Sequence, residues 1–304
     1  MEQFIPEMIY TLFGYGNPSG AFFYELIAGE SIEIWGRRKP QEIPTGFVYC
    51  DLNSNLNNPE IDLKGLLVSF SPIWLLSKFL TRVWLEHPER LKNLCGIIAI
   101  SSSSYITKQF AFSNYDKGLA SRLNDAHLSL ISLCNLLGIS CQILAPSLVY
   151  GTILGFRDQN VSKIVRIMRL MPVIMLPEST GTRQPIHASQ LANVVHKFAG
   201  DMINDKLDPS YPQVLPLGGD EVLSYTQFIA RIRDSLPLED IGRKCRIVAI
   251  PNRVFLSACS PLLPINTKLF EALMRINSDL SGFKTASSLL AEEAKAFPIL
   301  PFPY

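Results

Sequence analysis

Charge is scarce in this sequence. Only 18% of its 304 residues are Asp, Glu, Lys or Arg, and the formal net charge is +1. A chain so close to neutrality has no basic field to hold a nucleic-acid backbone, so no nucleic-acid partner is expected. No Cys-x-x-Cys pair occurs among Cys50, Cys95, Cys134, Cys141, Cys245 and Cys259, most of which lie in apolar runs. They read as small core residues, reduced, in the cytoplasm. The first residues include Glu2 and Glu7 and no basic run, unlike a secretory leader. Histidine is rare: His87, His127, His187 and His196. The last two fall on one predicted helical segment without the spacing of a paired helical metal site, so no metal is expected. No Gly-x-Ser-x-Gly elbow, Walker loop, internal repeat or low-complexity tract is present.

One long stretch, Ala126 to Phe156, lacks every charged residue type. A spanning helix needs about 20 predominantly apolar residues. This stretch instead carries Ser129, Ser132, Asn135, Ser140, Gln142, Pro146 and Ser147, and Gly138 divides it. It reads as helix, glycine turn and buried strand, with no membrane span.

Apolar residues are plentiful, at 47%. They imply a well-filled interior and leave room for the interface of a homodimer. Short apolar runs alternate with helical patterns through the first half. Strands are expected at Met8–Phe13, Ile32–Trp35, Gly46–Cys50, Gly65–Phe70, Gly96–Ile100 and Ser140–Leu144. Helices are expected at Ala21–Ile27, Pro72–Trp84 and Leu119–Leu137. Near-continuous apolar strands are those of a buried parallel sheet, and the alternation implies right-handed βαβ units. After Gly151 proline becomes frequent and short helices dominate. The expected fold is α/β: a Rossmann-type doubly wound parallel sheet with a smaller C-terminal substrate lobe. Residues 1–151 would form the dinucleotide-binding domain. Residues 152–304 would form mainly the lobe, with about 185–215 returning to the sheet.

The run Gly14-Tyr15-Gly16-Asn17-Pro18-Ser19-Gly20 follows a predicted strand and opens a predicted helix. That context gives a glycine turn its meaning. Gly14 permits the tight turn, a residue without bulk at Gly16 lets a pyrophosphate approach, and Gly20 lets the helix pack close to the sheet. The helix N-terminus adds N–H donors and partial positive charge. Asn17 tolerates unusual backbone angles and Pro18 suits a first helical turn. Neither spacing variant of the glycine fingerprint is complete, because Asn17 and Ser19 stand where glycine is usual. A mere turn is the competing reading. Roughly twenty residues on, Gly36-Arg37-Arg38 ends the second strand. Arginine at this point suits the 2′-phosphate of NADP, where an acid would suit the ribose of NAD. NADP is therefore expected in preference to NAD, against the alternative of a solvated charge pair. Asp51 ends the third strand and bonds an adenine edge or starts a turn with Asn53.

Taken together, these residues resemble the extended short-chain dehydrogenase/reductases of the nucleoside-diphosphate-sugar epimerase/dehydratase type. The glycine turn, the Asp51-Leu52 pair and the Ser101–Ser104 stretch match in order. Pro146-Ser147-Leu148-Val149-Tyr150-Gly151 is similar to the family's Arg-Pro-x-x-Val-Tyr-Gly, with Ala145 in place of arginine. Gln184–Ala192 and Leu217–Tyr225 resemble its later helix start and strand-loop-helix. The resemblance implies that Phe70, Ser71 and Ser101 lie along the cofactor and Pro146 near its nicotinamide. It also implies that the lobe holds a small-molecule substrate, a nucleotide-sugar or similar polar carbonyl or alcohol.

The catalytic centre departs from the family, which uses a Tyr-x-x-x-Lys pair. Here Tyr115 is followed four residues on by Leu119, and Tyr105 by Gln109. The helix end places Lys117 and Ser121 at the expected Tyr and Lys positions. An unassisted tyrosine, with a pKa of about 10, is a poor base at neutral pH. Ser103, Tyr115 and Lys117 are the candidates nearest the reaction, and Arg157, Arg166, Arg169 and Arg183 are candidates to face a diphosphate. An NAD(P)-dependent epimerase, dehydratase or reductase is expected. The alternative is a non-catalytic NADP-binding redox sensor or accessory subunit.

Overall fold

The computed structural model describes residues 9–39, 46–53, 61–111 and 113–304. Glu2, Glu7 and Met8 lie outside the described residues. Eight strands form the main sheet: β1 (Ile9–Phe13), β2 (Ser31–Gly36), β3 (Phe47–Tyr49), β4 (Lys64–Ser69), β5 (Asn93–Ile100), β6 (Ser140–Pro146), β7 (Val214–Gly218) and β8 (Lys284–Thr285). Their spatial order is β8-β7-β6-β5-β4-β1-β2-β3. The pairs β1–β2, β2–β3, β1–β4, β4–β5, β5–β6 and β7–β8 are parallel. The chain moves outward from β1 in one direction through β2 and β3, then crosses over to β4. Beside β1 there is thus a topological switch point, and in such sheets the crevice outside the carboxyl ends of the strands receives ligands.

Two compact units divide the chain. Unit one comprises Met1–Ser102, Arg122–Ala145 and Leu191–Leu215; unit two comprises Ser103–Ser121, Pro146–Gln190 and Pro216–Tyr304. In unit one, the interior faces of the strands bury Leu12, Phe13, Leu66, Leu67, Val68, Ile97, Ile98 and Ile143. Against them pack α1 (Pro18–Leu26), α2 (Ile73–Glu86), the later turns of α3 (Asn114–Leu137), and α5 (Ala188–Ile203); α4 (Asn160–Leu170) belongs to unit two. On α2, Leu76, Phe79, Leu80 and Val83 recur at helical spacing, and all four are buried. The uncharged stretch resolves as the end of α3, Gly138 in a left-handed conformation (φ +68°), and β6. No helix of the described residues is long and apolar enough to cross a membrane.

Unit two has its own core, built from Tyr150, Val165, Met168, Phe228, Ile232, Phe255 and Phe297 among others. Its helices include α6 (Tyr225–Asp234), α7 (Asn252–Cys259) and α8 (Thr267–Met274). The start of α6 is closed by a reciprocal capping box between Ser224 and Gln227. The unit also contains a parallel pair, Val173–Pro177 with Arg246–Ile250, where the sequence suggested only helices and loops.

Candidate functional site

At the switch point, the turn after β1 meets the turn after β4. Gly14 has φ +83°, a left-handed backbone that glycine adopts at little cost. A Cβ there would stand 2.6 Å from the Phe70 carbonyl carbon and 2.7 Å from the Ser71 amide. A Cβ on Gly20 would collide with the Gly14 carbonyl oxygen. The two glycines therefore let three backbone segments close on one another. By contrast, a Cβ on Gly16 would meet no described atom within 4 Å.

Asn17 ties the turn together. Its Oδ1 accepts the Gly20 N–H at 3.0 Å, capping α1. Its Nδ2 donates to the Gly14 carbonyl at 2.8 Å and the Phe70 carbonyl at 3.1 Å. Pro18 has no N–H, and the Ala21 N–H is given to the Asn17 carbonyl. Of the first helical donors, this leaves the Ser19 amide, with that of Gly16 beside it, to meet an anion. The turn therefore offers an anion open space at Gly16 and fewer amides than a glycine at position 17 would leave free.

Arg37 and Arg38 are both exposed just beyond β2. Asp51 accepts the Asn53 N–H at 2.9 Å, which makes the turn anticipated as its plain role. The Leu52 carbonyl accepts from Arg82 Nη2 at 2.7 Å. Ser71 is half-buried, its amide 3.3 Å from Ser69 Oγ.

Ser101, at the end of β5, has a partner that sequence reasoning missed. Its Oγ lies 2.6 Å from Nε2 of His127, which is buried on α3. Burial pushes the His127 imidazole down to about 4, so it is neutral at physiological pH. So weak a base abstracts protons poorly near neutrality. It orients the Ser101 hydroxyl. Only the helical period placing His127 on the inner face of α3 hinted at this.

In unit two, Ser103 is buried and its amide donates to the Pro146 carbonyl at 2.9 Å. Tyr115 and Lys117 lie in the first turn of α3; Tyr115 is 61% exposed and Lys117 is exposed. The residue between them is the buried one. Asp116, 1% exposed, pairs with Lys108 Nζ at 2.8 Å and Arg275 Nη2 at 2.7 Å. Burial opposes its charge, but these cations win and hold the carboxyl below the usual range.

The candidate substrate arginines have separate fates. Arg157 is exposed on a short ribbon. Arg169 is engaged by Asp240 (Nη2 to Oδ2, 2.6 Å) and donates to the Tyr304 carbonyl. Arg183 is buried, donates to the carbonyls of Thr182, Ser278 and Arg275, and stacks on Tyr225. Its guanidinium is a scaffold of the lobe, its donors spent on backbone rather than left for a diphosphate. His187, also in unit two, bonds Ser189 Oγ through Nδ1 at 2.6 Å, and burial lowers it to about 4.

No family model and no curated protein matches the sequence. Solved structures do match in fold. One is a UDP-glucuronic acid 4-epimerase from Bacillus cereus in complex with UDP-glucuronic acid and NAD: 14% identity, 95% of each chain covered, TM-score 0.59. Another is an NAD-dependent NDP-hexosamine 5,6-dehydratase involved in tunicamycin biosynthesis: 11% identity, 95% of this chain and 93% of that one, TM-score 0.58. A third is a GDP-mannoheptose C4 reductase from Campylobacter jejuni with NADP bound: 11% identity, 81% of this chain and 88% of that one, TM-score 0.56. This chain thus has the doubly wound α/β fold that these solved epimerase, dehydratase and reductase structures also have.

Proposed function

We propose that the chain binds NADP in preference to NAD at the 14–20 turn. It would act on a nucleotide-sugar or similar polar carbonyl or alcohol, as an epimerase, dehydratase or reductase with an altered catalytic centre. The turn carries the reading: two glycines that admit no Cβ, open space at Gly16 and two amides left for a pyrophosphate. Unit one would hold the cofactor, with Arg37 and Arg38 at the 2′-phosphate, Asp51 and Leu52 beside the adenine and Ser101 nearer the nicotinamide. The bound cofactor supplies hydride transfer. Unit two would hold the substrate, with Ser103, Tyr115 and Lys117 the groups available to a reacting oxygen and Arg157 to a phosphate. Cytoplasmic residence and a homodimer complete the proposal.

Binding comes first in the test. Titration of NADPH and NADH against the wild type and Arg37→Ala should show a tenfold to hundredfold preference for NADPH, roughly the 1.5–3 kcal/mol of a hydrogen bond to a charged group. The variant should lose much of it. Equal affinities in the wild type overturn the NADP assignment.

A second reading, a non-catalytic NADP-binding sensor or accessory subunit, draws support from the exposure of both Tyr115 and Lys117. A panel of nucleotide-sugars separates the two. Turnover that falls in Tyr115→Phe, Lys117→Met or Ser103→Ala, with cofactor affinity kept, favours the enzyme. Tight NADPH binding with no turnover favours the sensor.

A further inference from the structure

The contact between Ser101 and His127, both in unit one, has a direction. Oγ and Nε2 stand 2.6 Å apart. That is shorter than the usual N–H···O bond, about 2.7–3.2 Å, and within the range of hydroxyl donors, about 2.5–3.0 Å. The hydroxyl is therefore the donor and Nε2 the acceptor. His127 can take that part because burial keeps its imidazole neutral, so one ring nitrogen retains a lone pair. The ring proton then sits on Nδ1. With its only hydrogen given to His127, Ser101 Oγ has only lone pairs to offer a ligand. An ordinary serine donates or accepts as the ligand requires; this one accepts.

The register of the sheet says which ligand group stands opposite. Phe13 of β1 pairs with Ser69 of β4, and Ser69 with Ala99 of β5. Ser101 thus lies at the same carboxyl edge as the 14–20 turn, two strands away, roughly 10 Å at about 4.8 Å per strand. Arg37 and Arg38 follow β2 on the other side of β1, where Phe13 pairs with Trp35. A dinucleotide whose pyrophosphate lies at β1 sends one half to each side. With the 2′-phosphate beyond β2, the second ribose lies over β4 and the nicotinamide ring, one group further on, over β5. The donor on that ring is its carboxamide N–H2.

We propose that Ser101 Oγ, held as an acceptor by His127, receives a hydrogen bond from the nicotinamide carboxamide, with His127 as the positioning residue. This rests on the dinucleotide reading of the turn. It makes the chain select a carboxamide over a substituent of the same shape without N–H.

The test uses the full chain and calorimetric titration of oxidised NADP, its 3-acetylpyridine analogue and adenosine 2′,5′-bisphosphate. The analogue has a methyl group in place of the amide nitrogen, and the bisphosphate lacks the nicotinamide half. The wild type should bind NADP about twofold to tenfold more tightly than the analogue, the worth of one neutral hydrogen bond. Ser101→Ala and His127→Leu should bring the two affinities together while the bisphosphate binds as before. If His127→Leu does not fold, Ser101→Ala, a smaller change at a half-buried position, decides. Nitrogen-15 NMR of the free chain adds a readout that needs no ligand: His127 should carry its proton on Nδ1. Equal affinity of the wild type for NADP and the analogue overturns the proposal and leaves the dinucleotide reading standing. So does a Ser101→Ala variant that keeps the wild-type preference, or a His127 protonated on Nε2. Failure of the wild type to bind NADP overturns it too, and failure to bind the bisphosphate as well takes the dinucleotide reading with it.

Discussion

His127 and His187 are both buried and both lowered from 6.5 to about 4, by desolvation first and, for His187, by Lys295 second. Unfolding returns each to water, where it binds a proton more readily. Between about pH 6.5 and pH 4 the unfolded chain therefore holds more protons, and stability falls as pH falls. Each histidine contributes on the order of 3 kcal/mol across that window, at 1.36 kcal/mol per pKa unit. Asp116 adds a separate loss at lower pH, because its carboxyl is depressed and its stabilisation disappears as it protonates. Urea midpoints at pH 7, 6 and 5 should decline steadily, and His127→Gln should flatten part of the slope. A profile flat from pH 7 to 5 would contradict the burial of both imidazoles. Two glycines of the turn make a sharper pair. Gly14→Ala strains a left-handed backbone and collides with Phe70, so it should destabilise the fold by about 1–3 kcal/mol. Gly16→Val meets open space and should cost no more than about 0.5 kcal/mol, yet cofactor affinity should collapse if the pyrophosphate lies there. Normal binding by Gly16→Val would remove the turn as the phosphate site.

Among the elements, α1 starts on a single side chain, Asn17, that both caps it and ties it to the neighbouring turn. Asn17→Asp keeps the acceptor that caps Gly20 but loses the two donors to Gly14 and Phe70, and adds a negative charge where a pyrophosphate would lie. Setting a carboxylate oxygen against the Gly14 and Phe70 carbonyls should lower the melting temperature although the cap is kept, and Asn17→Ala should cost about 0.5–2 kcal/mol. Cofactor binding should fall in the aspartate variant despite the intact cap. The strands of the sheet were legible in the sequence because residues such as Leu66, Leu67 and Val68 are buried on both faces and leave an unbroken apolar run. The pair Val173–Pro177 and Arg246–Ile250 was not. These strands show exposed positions along their length and end or begin beside prolines, so each looks like loop on its own. The glycine turn was readable as a turn, but the use Asn17 makes of its own donors was not. Neither was the Asp116 cluster, whose partners lie 8 and 159 residues away in sequence. Tyr115 and Lys117 are of types that suggest catalysis, whereas nothing local in the sequence marks the aspartate between them as buried.

For the whole molecule, the segmented make-up of the units has measurable consequences. A fragment of residues 1–151 ends before α5 and β7. It lacks the segment Leu191–Leu215, from which Leu191, Val194, Val195 and Phe198 are buried. Each large apolar side chain left exposed forfeits about 1.5–3 kcal/mol, and four of them reach the total stability of a typical domain. The fragment should show no cooperative unfolding transition in urea, whereas the full chain should show one or more. A cooperative melt from 1–151 would mean that this segment is dispensable to unit one.

The same arrangement dictates an order of events during synthesis. Residues up to Ala145 can leave the ribosome and pair β1 through β6, but the edge of β6 that later pairs with β7 has nothing beside it. Its partner, bonded through the Gln213 carbonyl to the Ile143 amide at 2.7 Å, has not yet been made. At roughly 5–20 residues per second, the nascent sheet waits several seconds with an open edge. That is the interval in which a holdase chaperone would find its target.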